Sequence, residues 1–235
     1  ILEQTLQDFE VAARVSRVIK GPTVTRFEIQ LASGVKVNRI LSLADNIALA
    51  MATPDVRILT PVPGKSVVGI EVPNKYKELV TLGDILTRDE AQKATNALTM
   101  AIGKDIAGQP VLADLGAMPH LLIAGATGSG KSVCINSLLT SLLMRVRPNQ
   151  AKFILIDPKR IELNLFNDLP HLLTPVVIDV KQAPTVLAWV VHEMEDRFKL
   201  LAEVGVKNID SYNSAIRTAR EFQGLEFLPY IIVIV

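Results

Sequence analysis

From residue 13 the chain alternates in character. Thr23, Thr25, Phe27, Ile29 and Leu31 interleave with Val24, Arg26, Glu28 and Gln30, the rhythm of a strand with one face buried. The turn Gly21-Pro22 before it predicts pairing with a strand over Ala13 to Lys20. Val37, Ile40, Leu41, Ala44, Ile47, Ala48 and Met51 then recur at helical spacing and predict one core-facing helix, closed by Pro54. Val56 to Leu59 and Val67 to Val72 predict two more strands around Pro61-Val62-Pro63-Gly64. The polar stretch Thr87-Arg88-Asp89-Glu90-Ala91-Gln92-Lys93 is the best domain boundary. Residues 1–90 are expected to form a small mixed α/β domain, and residues 91–235 a second domain.

In the second part the apolar runs lengthen. Met100 to Gly103 and Val111 to Leu115, joined through Gly108-Gln109-Pro110, predict a hairpin. Leu121-Leu122-Ile123-Ala124 predicts a buried strand, and Val133 to Arg145 a helix with Leu138, Leu142 and Val146 on one side. Phe153-Ile154-Leu155-Ile156 is the next buried strand and ends at Asp157-Pro158. Leu187, Val190, Val191, Met194, Phe198 and Leu201 mark a long amphipathic helix, with Glu193 and Arg197 paired on its outer face. Tyr230-Ile231-Ile232-Val233-Ile234-Val235 reads as a last strand. Strands alternating with helices imply a mostly parallel sheet covered on both faces. No internal repeat or low-complexity segment interrupts this order.

Composition narrows the class. At 235 residues and 49% hydrophobic, the chain can build packed cores, and 25 basic against 24 acidic residues leave a formal charge of +1. Neither a basic tail nor an acidic block announces a nucleic-acid partner. The single cysteine, Cys134, excludes an internal disulfide and a cysteine-rich zinc site, which fits a reducing compartment. Its place early in the helix after residue 132 makes it a small packed residue. No apolar run reaches the roughly 18 residues needed to cross a bilayer, and Ile1-Leu2-Glu3-Gln4 resembles no signal peptide, so the segment is expected to be soluble.

The chemistry is concentrated in Gly125-Ala126-Thr127-Gly128-Ser129-Gly130-Lys131-Ser132, which fits the phosphate-binding pattern G-x-x-x-x-G-K-[ST] between an apolar run and a helix. Glycines let successive backbone N–H groups turn toward one anion, and the helix N-terminus adds partial positive charge. Lys131 is expected to reach the β- and γ-phosphates as the catalytic lysine, Ser132 to place its hydroxyl on Mg²⁺, and Val133 to complete the nucleotide-binding segment.

Nucleotide hydrolysis normally also needs an Asp at the end of a second strand. Two strands could lead to it. Phe153 to Ile156 ends in Asp157, but Pro158 and Lys159 follow where a Glu could stand. The strand ending at Val235 is more apolar, and the given sequence stops where an acidic pair would begin. The second is preferred; Asp157 also fits a strand-end turn or capping role, and Asp157 with Lys159 is a candidate for the surroundings of the site.

Beyond the loop, the chain resembles the motor region of the FtsK/SpoIIIE family of bacterial DNA translocases. The likeness is carried by Gly21-Pro22-Thr23-Val24-Thr25-Arg26-Phe27-Glu28, Pro63-Gly64-Lys65-Ser66, Gly69-Ile70-Glu71-Val72-Pro73-Asn74, Gly103-Lys104-Asp105-Ile106-Ala107-Gly108, Met118-Pro119-His120 running into the loop, Ile156-Asp157-Pro158-Lys159 and Leu169-Pro170-His171-Leu172-Leu173. The resemblance implies a small α domain on a RecA-like P-loop NTPase core, six subunits in a ring, ATP and Mg²⁺ as cofactors, and double-stranded DNA threaded through the channel. It implies an Asp-Glu pair after Val235, a membrane anchor before residue 1 and a winged-helix domain beyond the segment. It further implies a place on the cytoplasmic side of the bacterial membrane at the division septum, acting in chromosome partition. By itself the 1–235 segment is expected not to hydrolyse ATP. Which of Lys36, Arg39, Lys104, Lys181 or Lys207 would meet DNA is left open. A related ATPase driving protein secretion, or a nucleotide-binding scaffold without turnover, are the alternative readings.

Overall fold

The computed structural model describes residues 1–218 and 224–235. They form two compact units, Ile1–Ala94 with Ala101–Ala113, and Thr95–Met100 with Asp114–Val235.

In the first unit α1 (Leu2–Asp8) precedes β1 (Ala13–Lys20) and β2 (Val24–Leu31); α2 (Val37–Leu41), α3 (Ala44–Ala50), β3 (Arg57–Leu59), β4 (Val68–Pro73), α4 (Leu82–Leu86) and α5 (Asp89–Lys93) follow. The strands form one antiparallel sheet in the order β1-β2-β4-β3. Ile29, Val68, Ile70 and Val72 pack with Leu6, Ile40 and Ile47 into the core of this unit, so the alternation along β2 does mark a buried face. Glu28 and Glu71 in the same strands are also buried. Each has a cationic partner: Arg26, opposite Glu71 in register, approaches it to 2.6 Å, and Lys65 reaches Glu28 at 2.6 Å. Pairing is what makes burial of such carboxylates tolerable. Asn74 ties the ends together, donating to the Gly21 carbonyl at 2.7 Å while its side-chain oxygen accepts from the Thr25 hydroxyl at 2.7 Å. A side chain at Gly21 would run into the Ile106 carbonyl.

One local expectation changes here. The helix expected over residues 37–51 is two helices, interrupted at Ser42 and Leu43. The Ser42 hydroxyl bonds back to the Arg39 carbonyl at 2.9 Å, a side-chain competitor to the helical ladder, and both Ile40 and Ile47 still reach the core. The polar stretch 87–93 carries α5 over most of its length and buries Ala91. Before it, Thr81 and Asp84 form a reciprocal capping box that starts α4.

β5 (Thr99–Lys104) and β6 (Pro110–Asp114) pair as a two-stranded sheet. Most of this hairpin, Ala101–Ala113, falls in the first unit, and the second unit holds α6 (Lys131–Leu143), β7 (Ala151–Leu155), α7 (Ala183–Val204), α8 (Ile209–Thr218) and β8 (Tyr230–Ile234). β7 and β8 run parallel, Ala151 opposite Tyr230 through Leu155 opposite Ile234, and parallel bridges join Phe153 to Leu172 and Ile156 to Val177. Side chains alternate between two cores. Ala151, Phe153 and Leu155 of β7, with Tyr230, Ile232 and Ile234 of β8, meet Leu138, Leu139 and Leu142 of α6. Ile154, Ile156, Ile231 and Val233 face the other way, toward Val186 and Val190 of α7. Burial on both faces is why these strands read as continuous apolar runs.

Leu121-Leu122-Ile123-Ala124 is not a strand. It has no ladder partner among the described residues, and Leu122 is 89% exposed. Leu121 to Ile123 instead line a cavity of about 550 Å³ shared with Tyr230 to Val235 and with Leu138, Leu139 and Leu142. An apolar run is competent for a strand, but pairing needs an edge within hydrogen-bonding distance. In α7 the expected stripe of Leu187, Val191, Met194 and Phe198 is exposed rather than packed. Arg197 and Glu193 are paired at 2.7 Å but half-buried, not on an outer face, and Arg197 also donates to the Pro229 carbonyl at 2.6 Å. The helix is thereby pinned to the chain just before β8. No helix of the described residues is long and apolar enough to cross a membrane.

Candidate nucleotide-binding site

The loop 125–130 leaves the apolar segment exposed to solvent and enters α6 two residues earlier than the pattern suggested. Gly128 and Gly130 sit at φ 78° and 94°, left-handed conformations that a side chain makes costly. A side chain at Gly125 would collide with the Ser129 hydroxyl. The turn is closed by Ser129 N–H on the Ala126 carbonyl at 3.1 Å, and the helix starts with Cys134 N–H on the Gly130 carbonyl at 2.8 Å. Thr127 and Val133 are exposed, Val133 on the first turn of α6, while Cys134 is half-buried against the core, as a small packed residue should be.

Lys131 folds back over the loop, its ammonium donating to the carbonyls of Gly125 at 2.7 Å and Ala126 at 2.9 Å. Neither acceptor is charged, so a phosphate oxygen would be the stronger partner for the same ammonium. Ser132 is next along the helix, and its hydroxyl donates to a residue absent from the sequence reading: Glu162, at 2.5 Å.

Asp157, two residues beyond the end of β7, accounts for how Glu162 arrives there. The carboxylate is buried and accepts from the N–H groups of Glu162 and Leu163, both at 2.9 Å, while the Asp157 N–H donates to the Val177 carbonyl at 2.9 Å. Burial pushes its carboxyl pKa up, but the N–H groups of Leu163, Glu162, Arg160 and Lys159 outweigh burial and hold it below the usual carboxylate value. Arg160, at φ 60°, reverses the chain, and Leu163 and Phe166 anchor the far end in the core. Asp157 thus spends its Oδ2 on its own turn, and Lys159 is exposed. The sequence motif does not single out Glu162; the available signal is an acidic residue next to an apolar anchor, Leu163, closing a turn opened by Asp157-Pro158.

The basic candidates divide. Arg39 is engaged with Glu10 at 3.1 Å and Lys104 lies 3.6 Å from Asp84, whereas Lys36, Lys181 and Lys207 are exposed. Among the described residues no group of three or more His, Cys, Asp or Glu converges as a protein-only metal cage. A hydroxyl and one carboxylate beside a phosphate-binding loop fit Mg²⁺, which takes few protein ligands and completes its shell from phosphate and water.

Comparisons with known proteins agree with this geometry. The family model for the FtsK/SpoIIIE family matches residues 81–234, and the model for the FtsK alpha domain matches residues 1–74. The chain is 53% identical over 234 residues to the DNA translocase FtsK of Clostridium tetani, covering 100% of this chain and 31% of that protein. It is 49% identical over 236 residues to the DNA translocase SpoIIIE of Bacillus subtilis, covering 100% and 30%. It therefore spans about a third of the length of these relatives. Among solved structures, the cytoplasmic domain of the Thermomonospora curvata type VII secretion ATPase EccC is similar with a TM-score of 0.53 and 25% identity, over 65% of this chain and 20% of that one. With two family models matching in order on either side of residues 75–80, the chain belongs to the FtsK/SpoIIIE family.

Proposed function

We propose that this chain is the central part of an ATP-driven translocase of double-stranded DNA. The observation that carries the reading is that both family models and relatives near 50% identity cover the chain while the loop keeps Lys131 and Ser132 at the start of α6. In this reading residues 1–90 are the small domain, and residues 91–235 belong to a RecA-like ATPase domain whose sheet is mostly parallel. The intact protein works as a ring of six, acts at the division septum in chromosome partition, and meets the membrane only through an anchor outside residues 1–235.

Residues of the loop have separable tasks. Backbone N–H groups of 126–132 other than that of Ser129 would bind the phosphates, and the partial charge at the start of α6 favours that anion. Lys131 exchanges the Gly125 and Ala126 carbonyls for phosphate oxygens, and Ser132 offers its oxygen to the cation. Mg²⁺, when bound with ATP, supplies charge neutralisation as the terminal phosphoryl group leaves. Likeness to a secretion ATPase reflects the shared nucleotide fold; the match of residues 1–74 to the FtsK alpha domain favours DNA as the moving substrate.

The test is ATP hydrolysis by the full-length protein with and without duplex DNA. Turnover should rise with DNA, and Lys131→Ala should abolish it without unfolding the protein. Hydrolysis indifferent to DNA, or a Lys131→Ala variant as active as the parent, would overturn the reading.

A further inference from the structure

Glu162 reaches the phosphate loop from a different element and is held there from both sides. Its own N–H and that of Leu163 are bound by the buried Asp157 carboxylate, and Leu163 and Phe166 are packed in the core. Its side chain accepts the hydroxyl hydrogen of Ser132. A half-buried carboxylate in this position repels a triphosphate bound to the same loop. The arrangement is therefore unfavourable for nucleotide alone and becomes favourable once a divalent cation lies between the two negative groups.

We propose that Glu162 is a positioning residue for the nucleotide's metal ion: it takes the Ser132 hydrogen, so that the lone pairs of that oxygen are free for Mg²⁺, and it adds one negative charge beside the cation. The inference rests on reading the loop as a Mg²⁺-nucleotide site. Asp157 acts one step further out, by fixing the turn that delivers Glu162. This gives the Asp157 turn a task even though Asp157 Oδ2 is directed at backbone N–H groups rather than at Ser132. Carboxylates that orient a metal ligand in this way typically change metal affinity by about 10- to 100-fold when removed.

The experiment measures ADP binding to the full-length protein by calorimetry, with Mg²⁺ and with the metal removed by chelation. Glu162→Gln keeps the size and an acceptor for Ser132 but loses the charge. Its affinity for ADP should fall by about 10-fold or more with Mg²⁺ and stay equal or rise without it, since a repulsive charge has gone. In a Ser132→Ala background the same substitution should have a clearly smaller effect, because the two side chains act as one unit. A Glu162→Gln variant that weakens binding equally with and without metal has lost only loop structure, and one that changes neither has no part in the site. Either result overturns the assignment while leaving the loop's nucleotide binding in place. If the parent protein gains no affinity from Mg²⁺, or Lys131→Ala binds ADP as the parent does, the reading of the loop fails and Glu162 fails with it.

Discussion

Asp157 is a carboxylate used as a structural acceptor. Replacing it with Ala leaves the Glu162 and Leu163 N–H groups without their partner, the second in a buried place, and should cost about 1–3 kcal/mol in urea unfolding. Its pKa in the folded protein is lowered, so the charged form is the one that stabilises. That contribution is complete above the unfolded value of about 3.9 and disappears as pH falls through the folded value. Acid unfolding below about pH 4 should thus be less steep in Asp157→Ala than in the parent; equal slopes would mean that the N–H groups do not favour the carboxylate. Gly130 is a second residue with one dominant constraint. At φ 94°, Gly130→Ala should cost roughly 1–2 kcal/mol of strain, visible as a lowered melting temperature and weaker ADP binding.

Among the elements, the β2–β4 pair shows how a sheet can hide charge. Arg26 and Glu71 face each other in register, and Arg57 lies 3.8 Å from the second Glu71 oxygen. Removing the carboxylate leaves Arg26 poorly solvated with no counter-charge, so Glu71→Ala should destabilise the first unit by about 3–5 kcal/mol. Chemical denaturation with a probe in that unit would measure it, and a loss below about 1 kcal/mol would indicate that Arg26 behaves as a surface group. Segments that carry the family resemblance, such as Gly21 to Glu28 and Gly69 to Asn74, therefore serve to hold the first unit together: Gly21 by close approach, Thr25 and Asn74 by hydrogen bonds, Arg26, Glu28 and Glu71 by ion pairs. In the second unit the two cores on either face of β7 and β8 hold the strand ends in place, and Asp157 lies two residues beyond the end of β7.

For the molecule as a whole, a net charge of +1 provides no basic surface by itself. A DNA motor of this family would gather a few cations from each of several copies and contact phosphates rather than bases. DNA affinity of the full-length protein should then fall steeply and linearly on a log–log plot against salt, and change little with the sequence of the duplex. Duplex binding that is insensitive to salt would exclude phosphate contacts as its source.

Local chemistry was legible from residues alone wherever the constraint lay within a few positions. The conformation of the loop is written in the spacing of Gly125, Gly130, Lys131 and Ser132, because left-handed turns and a helix start are set by neighbours. β2, β4, β7, β8 and α6 lie close to their apolar patterns for the same reason, burial on one or both faces leaving a period in the sequence, and β1 follows from the turn that joins it to β2. What the tertiary structure decided involves partners far apart in the chain. Glu162 meets Ser132 across thirty residues, and Glu71 meets Arg26 across forty-five; Leu121 to Ala124 remains outside any ladder although its composition suits a strand. A side chain's type states which bonds it can make, whereas the path of the backbone selects which of them are within reach.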